Sequence, residues 1–355
     1  MPRNLVRAAL SVAACLIAIP TCFAQSALLQ LPRDSQRAEV SQRIGITDIT
    51  VRYHRPLVKG RKIMNVIAAD GKIWRAGANE NTTIAFTDGV TIEGQLLAKG
   101  TYGLHMIPGD SEWTIIFSKN STSWGSFTYD QAEDALRVTV KPHPDEMHEA
   151  LTYDFDNPTP RGVTLVLRWD KIAVPIQVGV DTPEIVEQSL HNQLRGRVQY
   201  EWAPWDEAAN YLEDNKLNPE EALKWADQSI KVEERFENLM AKARVLDTLN
   251  RQAEAKEIRA KALEMGSALQ VHIYGRQLQR QGKEDEAFTV FRGNIKKFPD
   301  NWLAHSEAAR LACAKGDFDT AVKEMKIAVG GADPQNKPAF EALVKRLEAK
   351  EDINK

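Results

Sequence analysis

Trp74, Arg75, Asn79 and Glu80 fall within the seven residues WRAGANE, which run on into NTTIAF. An indole stacks, a guanidinium donates, an amide does both and a carboxylate accepts, so the group suits a ligand with planar and polar parts. Trp124, in WGSFTYD, adds a second stacking face. These five are the candidate binding residues, for a glycan-like or peptide ligand. A structural role competes with this reading. Gly77 and the alanines permit a tight turn into the next strand, Asn79 can bond the turn's own backbone, and Arg75 can pair with Glu80. If that pair is buried, neutralising Glu80 strands the guanidinium at a cost on the order of 3 kcal/mol. A third reading makes Glu80 and His54 or His105 the acid and base of an envelope hydrolase acting on a glycan or peptide. Alternation sets His105 opposite Tyr102, Leu104 and Met106, on a face expected to be solvated.

The rest of the chain is poor in chemical signatures. Phosphate loops, dinucleotide-binding glycine patterns, HExxH, GxSxG and paired-cysteine metal spacings do not occur in it. The best metal candidate is HPDEMHE, with His143, Asp145, Glu146, His148 and Glu149. It follows Pro142 in a stretch expected to be turn-rich, where spacing does not fix geometry, so a solvated connection is the better reading. Of the three cysteines, Cys15 and Cys22 fall in the leading segment and Cys313 stands alone in the helical pattern ARLACAKGDF, expected as core. A formal net charge of −3 over 355 residues does not suit a nucleic-acid partner. No cofactor, metal or catalytic residue is assigned.

The elements that position these residues change period once. From Ile44 to about Val180 apolar residues alternate, as in Ile49, Val51, Tyr53, then Ile84, Phe86, then Trp113, Ile115, Phe117. Turn pairs such as EG and KG separate the runs. About nine antiparallel strands follow, in a β-sandwich or barrel over residues 25–180, because strands with one apolar face must bury it against another sheet. Beyond Asp181 the period is helical. Four units align on Ala222, Ala255, Ala287 and Ala321, spaced 33, 32 and 34 residues apart, each five residues after a turn position at Leu217, Asn250, Gly282 or Gly316. Residues 1–24 read as a signal peptide: Arg3 and Arg7 precede an apolar run from Ala8 to Ile19 that is too short to span a bilayer, and TCFA supplies small residues before Gln25. The expectation is an exported protein, periplasmic or extracellular, with no stable membrane insertion.

Two resemblances add to this. The aligned units, at 181–355, resemble tetratricopeptide repeats, with Lys337 to Lys350 as a capping helix; the resemblance implies an all-α repeat domain whose concave face takes a protein or peptide. QRIGITDITVRYHRPLVKGRKI, WRAGANENTTIAF, AKGTYGLHMIPGDSEWTIIF and WGSFTYD followed by DALRV resemble an exported bacterial domain family of unknown function, over about residues 36–180. That family often has Ser-Arg-Pro where His54-Arg55-Pro56 stands. The whole is then an α+β multidomain protein: a non-catalytic envelope protein that binds through its repeats, the β domain serving as a second recognition module.

Overall fold

The computed structural model describes residues 32–67 and 71–354, so the expected signal peptide lies outside the described residues. The chain divides into two compact units, one built mainly of 48–158 and 162–179, the other mainly of 180–355. In the first, the order is β1 (Gln36–Ile44), β2 (Thr47–Arg55), a short α1 (Ile63–Ile67), β3 (Thr83–Phe86), β4 (Val90–Ile92), β5 (Gln95–Leu97), β6 (Gly100–Ile107), β7 (Trp113–Ser118), β8 (Asp134–Val140), β9 (His143–Thr159) and β10 (Gly162–Gly179).

Two sheets result, one ordered β1-β2-β3-β6-β7-β8 and the other β5-β4-β10-β9. Register explains the shared core. Ile49 faces Phe86 and Val51 faces Ile84 across β2 and β3, Leu104 faces Phe117 across β6 and β7, and Ile115 faces Val138 across β7 and β8. All eight are buried, so one row of apolar side chains runs across the larger sheet. Tyr53 and Tyr153, from opposite sheets, meet edge to face at 4.8 Å. The EG pair makes the expected tight hairpin between β4 and β5: Glu93 and Gly94 both have positive φ, which a two-residue turn of matching twist requires.

Two expectations are corrected here. HPDEMHE is not a turn-rich connection but the start of β9, the edge strand of the smaller sheet. Its residues are mostly exposed, as polar side chains on an edge strand that discourage pairing with another chain, and at Glu149 the outer edge is met by Val58. Asp145 is turned toward Arg168, which also meets Asp154 and Asp156. The second correction concerns β6, whose residues Tyr102 to Met106 are buried on both faces. The face of His105 is covered by the segment that follows β7, so this histidine is 2% exposed rather than solvated.

The second unit holds α2 (Thr182–Gln193), α3 (Trp202–Asp214), α4 (Pro219–Val232), α5 (Phe236–Thr248), α6 (Gln252–Met265), α7 (Ala268–Arg280), α8 (Glu284–Lys297), α9 (Trp302–Ala314), α10 (Phe318–Gly331) and α11 (Lys337–Glu348). From α3 to α10 these are antiparallel-paired helical repeats of tetratricopeptide type, closed by α11. The four aligned alanines are fully buried, where small side chains let paired helices approach. The turns share one device: Leu217, Arg251, Lys283 and Asp317 each send their N–H back to the carbonyl five residues earlier. The residue before each has positive φ, at Lys216, Asn250, Gly282 and Gly316. The first turn is therefore centred on Lys216, not Leu217, and carries one extra residue, Asn218, which caps α4. Cys313 is buried, with Glu351 and Asp352 beside its sulfur.

Gly275 shows how tight the pairing is. A Cβ there would stand 2.3 Å from Cε1 of Phe291, itself fully buried, whereas a Cβ at Gly293 would meet nothing within 4 Å. Opposite outcomes are expected from one change. Gly275→Ala gains about 1 kcal/mol of helix propensity but overpacks the α7–α8 contact, for a net loss of about 1 to 2 kcal/mol. Gly293→Ala should gain about 0.5 to 1 kcal/mol. Denaturant unfolding of both variants checks the pair, and equal shifts would show that the contact is looser than described.

Candidate functional site

The segment carrying the polar knot is fastened at its start. Trp74 exchanges two backbone hydrogen bonds of 2.8 Å with Met106, its Nε1 donates to the carbonyl of Gly77 at 3.1 Å, and its ring stacks on Trp169 at 5.8 Å. Ala76 then takes φ 51° while fully buried. Its carbonyl accepts from Thr82 Oγ1 at 3.2 Å and from the Tyr153 hydroxyl at 2.9 Å. Gly77 is required beside it, since a Cβ would lie 2.5 Å from Thr82 Oγ1. Asn79 has φ 57°, and its amide donates to the Ser35 carbonyl rather than within its own turn.

Arg75 and Glu80 do not pair. Arg75 donates to the carbonyl of Asn79 and lies over the Phe127 ring at 5.0 Å, with Gly125 so close that a Cβ there would come within 2.7 Å of the guanidinium. Glu80 instead meets Arg33 at 2.6 Å through Oε1 and His54 Nε2 at 3.1 Å through Oε2, with 42% of its side chain exposed. The two residues leave the turn in different directions, which spacing along the chain cannot show. Burial pushes the Glu80 carboxyl up, but its own backbone N–H, Arg33 and His54 outweigh this and hold it below the usual carboxylate range. Burial likewise holds His54 below the usual histidine value, partly offset by Glu80 and reinforced by Arg33 and Arg37. A neutral imidazole adds no charge, so at neutral pH the backbone N–H and Arg33 keep Glu80 ionised.

The five candidate residues therefore do not converge. Trp74 and Arg75 line a cleft of about 400 Å³ with Lys72, Ser126, Phe127 and Tyr129. Glu80 lines another of about 350 Å³ with Arg37, Arg52, His54 and Asn81. Trp124 lines neither of these two; it is half exposed, with the Arg33 guanidinium 5.7 Å from its ring centre. Behind the first cleft His105 Nδ1 meets Ser126 Oγ at 2.9 Å and its ring meets Tyr129 edge to face. Tyr129 donates to Asp134, and Arg137 binds both. Burial, with Arg75 adding to it and Asp134 opposing it, brings the His105 pKa down to about 4.

Sequence reasoning missed a third recess, in the helical unit. It encloses about 380 Å³ between α3, α5 and α7, with Met240, Arg244, Gln270, Ile273, Tyr274 and Gln277 on its walls. Asn210 also lines it; Asp206, one turn earlier on α3, does not, but its carboxyl feels Glu237 and Arg244 from α5. It is 9% exposed, and its Oδ1 has no hydrogen-bond partner. Burial, with Glu237 and Glu207 adding and Arg244 and Asn210 opposing, raises its pKa to about 6. Only a repeat-by-repeat comparison of inner-face positions, where Asp206 aligns with Met240, would have singled it out.

The class of protein is thus a two-sheet antiparallel β domain followed by tetratricopeptide-like helical repeats. Residues 35–178 match a family model described as "Protein of unknown function (DUF2911)". No curated protein matches the chain. Similar solved structures include one titled "Crystal structure of MamA", 16% identical, covering 46% of this chain and 92% of that one with a TM-score of 0.30. "Crystal structure of YrrB: a TPR protein with an unusual peptide-binding site" is 17% identical, covering 46% of this chain and 87% of that one at 0.27. The APC/C hetero-tetramer Cut9-Hcn1 is 18% identical, covering 48% of this chain and 33% of that one at 0.30.

Two outcomes follow for the β domain. Glu80→Gln should lower stability by under about 1 kcal/mol, because an ion pair this exposed is screened by water; thermal unfolding at pH 7 checks it, and a loss near 3 kcal/mol would restore the buried-pair reading. The depressed pKa of His105 gives stability that is present above its unfolded value of 6.5 and lost as pH falls toward about 4, on the order of 3 kcal/mol in all. His105→Gln should flatten that part of the stability–pH curve between pH 6.5 and 4, measured by denaturant titration; an unchanged slope would place the titration elsewhere.

Proposed function

We propose that this is an exported, non-catalytic binding protein whose helical repeats take an extended segment of a protein partner. The observation that carries this reading is the recess between α3, α5 and α7. Gln277 on α7 and Gln281, its C-cap, stand on the recess wall beside Met240, Ile273 and Tyr274, while the Gln270 amide is engaged by Ser267 and Glu237. Side-chain amides both donate and accept, which an extended peptide backbone needs, and the apolar side chains between them suit the partner's own. Ile273 is 52% exposed, a large apolar side chain left in water. The β unit, whose two sheets we read as a sandwich, would be a second recognition surface. Glycan hydrolysis fits less well, since that chemistry ordinarily uses two carboxylates and the walls of the Glu80 cleft carry one, already engaged by Arg33. Export rests on the basic, apolar and small-residue order of residues 1–24.

Panning a random-peptide phage library against the mature chain tests the reading. Enriched peptides should bind the parent, lose binding roughly tenfold or more with Ile273→Asp, and bind Glu80→Gln unchanged. Failure to enrich any peptide, or enrichment indifferent to Ile273→Asp, would overturn it. Protein recovered from its native host should begin at or near Gln25, and an intact Met1 would overturn export.

A further inference from the structure

The cleft beside Trp74 carries a cation without a counter-ion. Elsewhere in the β unit Arg33, Arg52, Arg137 and Arg168 each meet a carboxylate. Arg75 meets none among the described residues; its one hydrogen bond there runs from Nη1 to the Asn79 carbonyl at 2.5 Å. The guanidinium is held in place by other means. Its Cζ lies 5.0 Å from the centre of the Phe127 ring, and Gly125, at φ 68°, lays its backbone against it. A guanidinium fixed by a ring and a turn has little freedom left to lose when an anion arrives, and the rest of its N–H fork is unused.

The walls of the cleft point the same way. Neither aspartate nor glutamate lines this space of about 400 Å³, while Lys72 stands on its wall with Arg75. Asp134, behind Tyr129, is taken up by Tyr129 and Arg137. Burial lowers the Arg75 pKa, the direction expected of a cation that has given up water without gaining an anion. Phe127 is 78% exposed, a ring left in water on the cleft wall, and Ile73 and Trp74 continue that wall.

We infer that this cleft binds a carboxylate carried on an apolar body: Arg75 takes the carboxylate through its unused N–H groups, Lys72 adds a second positive charge, and Phe127 covers the apolar part. A planar carboxylate matches the guanidinium fork, whereas an inorganic anion would leave the Phe127 ring without a partner. Two sources share this chemistry, a free organic acid and the C-terminus of a peptide with an apolar last residue. The inference rests on the reading of the β unit as a recognition surface and states what that surface takes; the groove between α3, α5 and α7 has no part in it.

The test uses the mature chain at pH 7.5 and two pairs of probes, 3-phenylpropionate with 3-phenylpropanamide and N-acetyl-Gly-Gly-Phe with its C-terminal amide, titrated by saturation-transfer NMR. In at least one pair the acid should bind saturably and the amide roughly tenfold or more weakly. Binding of 3-phenylpropionate alone marks a small organic acid, and binding of the tripeptide marks a peptide C-terminus. Arg75→Gln should weaken the acid roughly tenfold or more, Phe127→Ala should weaken it severalfold, and Ile273→Asp should leave it unchanged. If Arg75→Gln does not fold, the acid–amide comparison on the parent and Phe127→Ala, a change at an exposed ring, still decide. Equal binding of acid and amide, or binding indifferent to a folded Arg75→Gln or to Phe127→Ala, would overturn the carboxylate site while leaving a recognition surface on the β unit standing; no binding by any of the four probes would overturn both.

Discussion

The carbonyl of Ala76 is the point on which the β domain's functional side hangs. An alanine in the left-handed region is strained by about 1 to 2 kcal/mol, and this one is also fully buried, so something must hold it there. Two hydroxyls do: Thr82 from the start of the next strand and Tyr153 from the opposite sheet. Because Tyr53 accepts from the backbone N–H of Tyr153 and packs edge to face on its ring, the turn, β2 and β9 are tied through one aromatic pair. With Ala76 fixed, Trp74 is sent inward onto Trp169, Arg75 outward onto Phe127, and Glu80 away toward Arg33 and His54. One strained residue thus separates groups that sit close in sequence into two clefts.

The helical unit solves a different problem. Each helix pair must close within about a third of a hundred residues, and the pairs must repeat without strain accumulating. Left-handed residues after each first helix make the turn, small residues in each second helix allow the close approach, and the second helix of a pair steadies the start of the first. Ser229 donates to the carbonyl of Trp202, and Asn294 donates to that of Ala268, each carbonyl belonging to the first residue of its helix. These are equivalent positions in two units. The device frees the other face of the first helices from structural duty, which is where the open recess lies.

Much of this is legible in the sequence, and what is not has a common cause. Period two before Asp181 and period 3.6 after it, the buried alanines, and the EG hairpin all depend on neighbours within a few residues, and all stand. The Arg75–Glu80 pair fails because direction out of a turn depends on φ at Ala76 and Asn79, residues whose types do not announce a left-handed backbone. His105 fails for a related reason: alternation reports which face a side chain takes, but not that the segment after β7 folds back and covers that face with Ser126 and Tyr129. HPDEMHE misleads because edge strands carry loop-like composition. Asp206 is invisible in the sequence, since an aspartate on an amphipathic helix reads as solvated until a neighbouring repeat is packed against it.

Both units close much of their buried charge into networks and leave single atoms of it unpartnered. In the β domain several buried or half-buried ionisable groups satisfy one another: Asp134 with Arg137 and Tyr129, Arg168 with three aspartates, His105 with Ser126. In the helical unit Glu307 in α9 is closed on one oxygen, which His272 and Asn294 both reach, while its Oε2 has no hydrogen-bond partner. Asp206 in α3 likewise leaves its Oδ1 without a partner. A network that is closed stabilises one conformation and has nothing left to offer a partner.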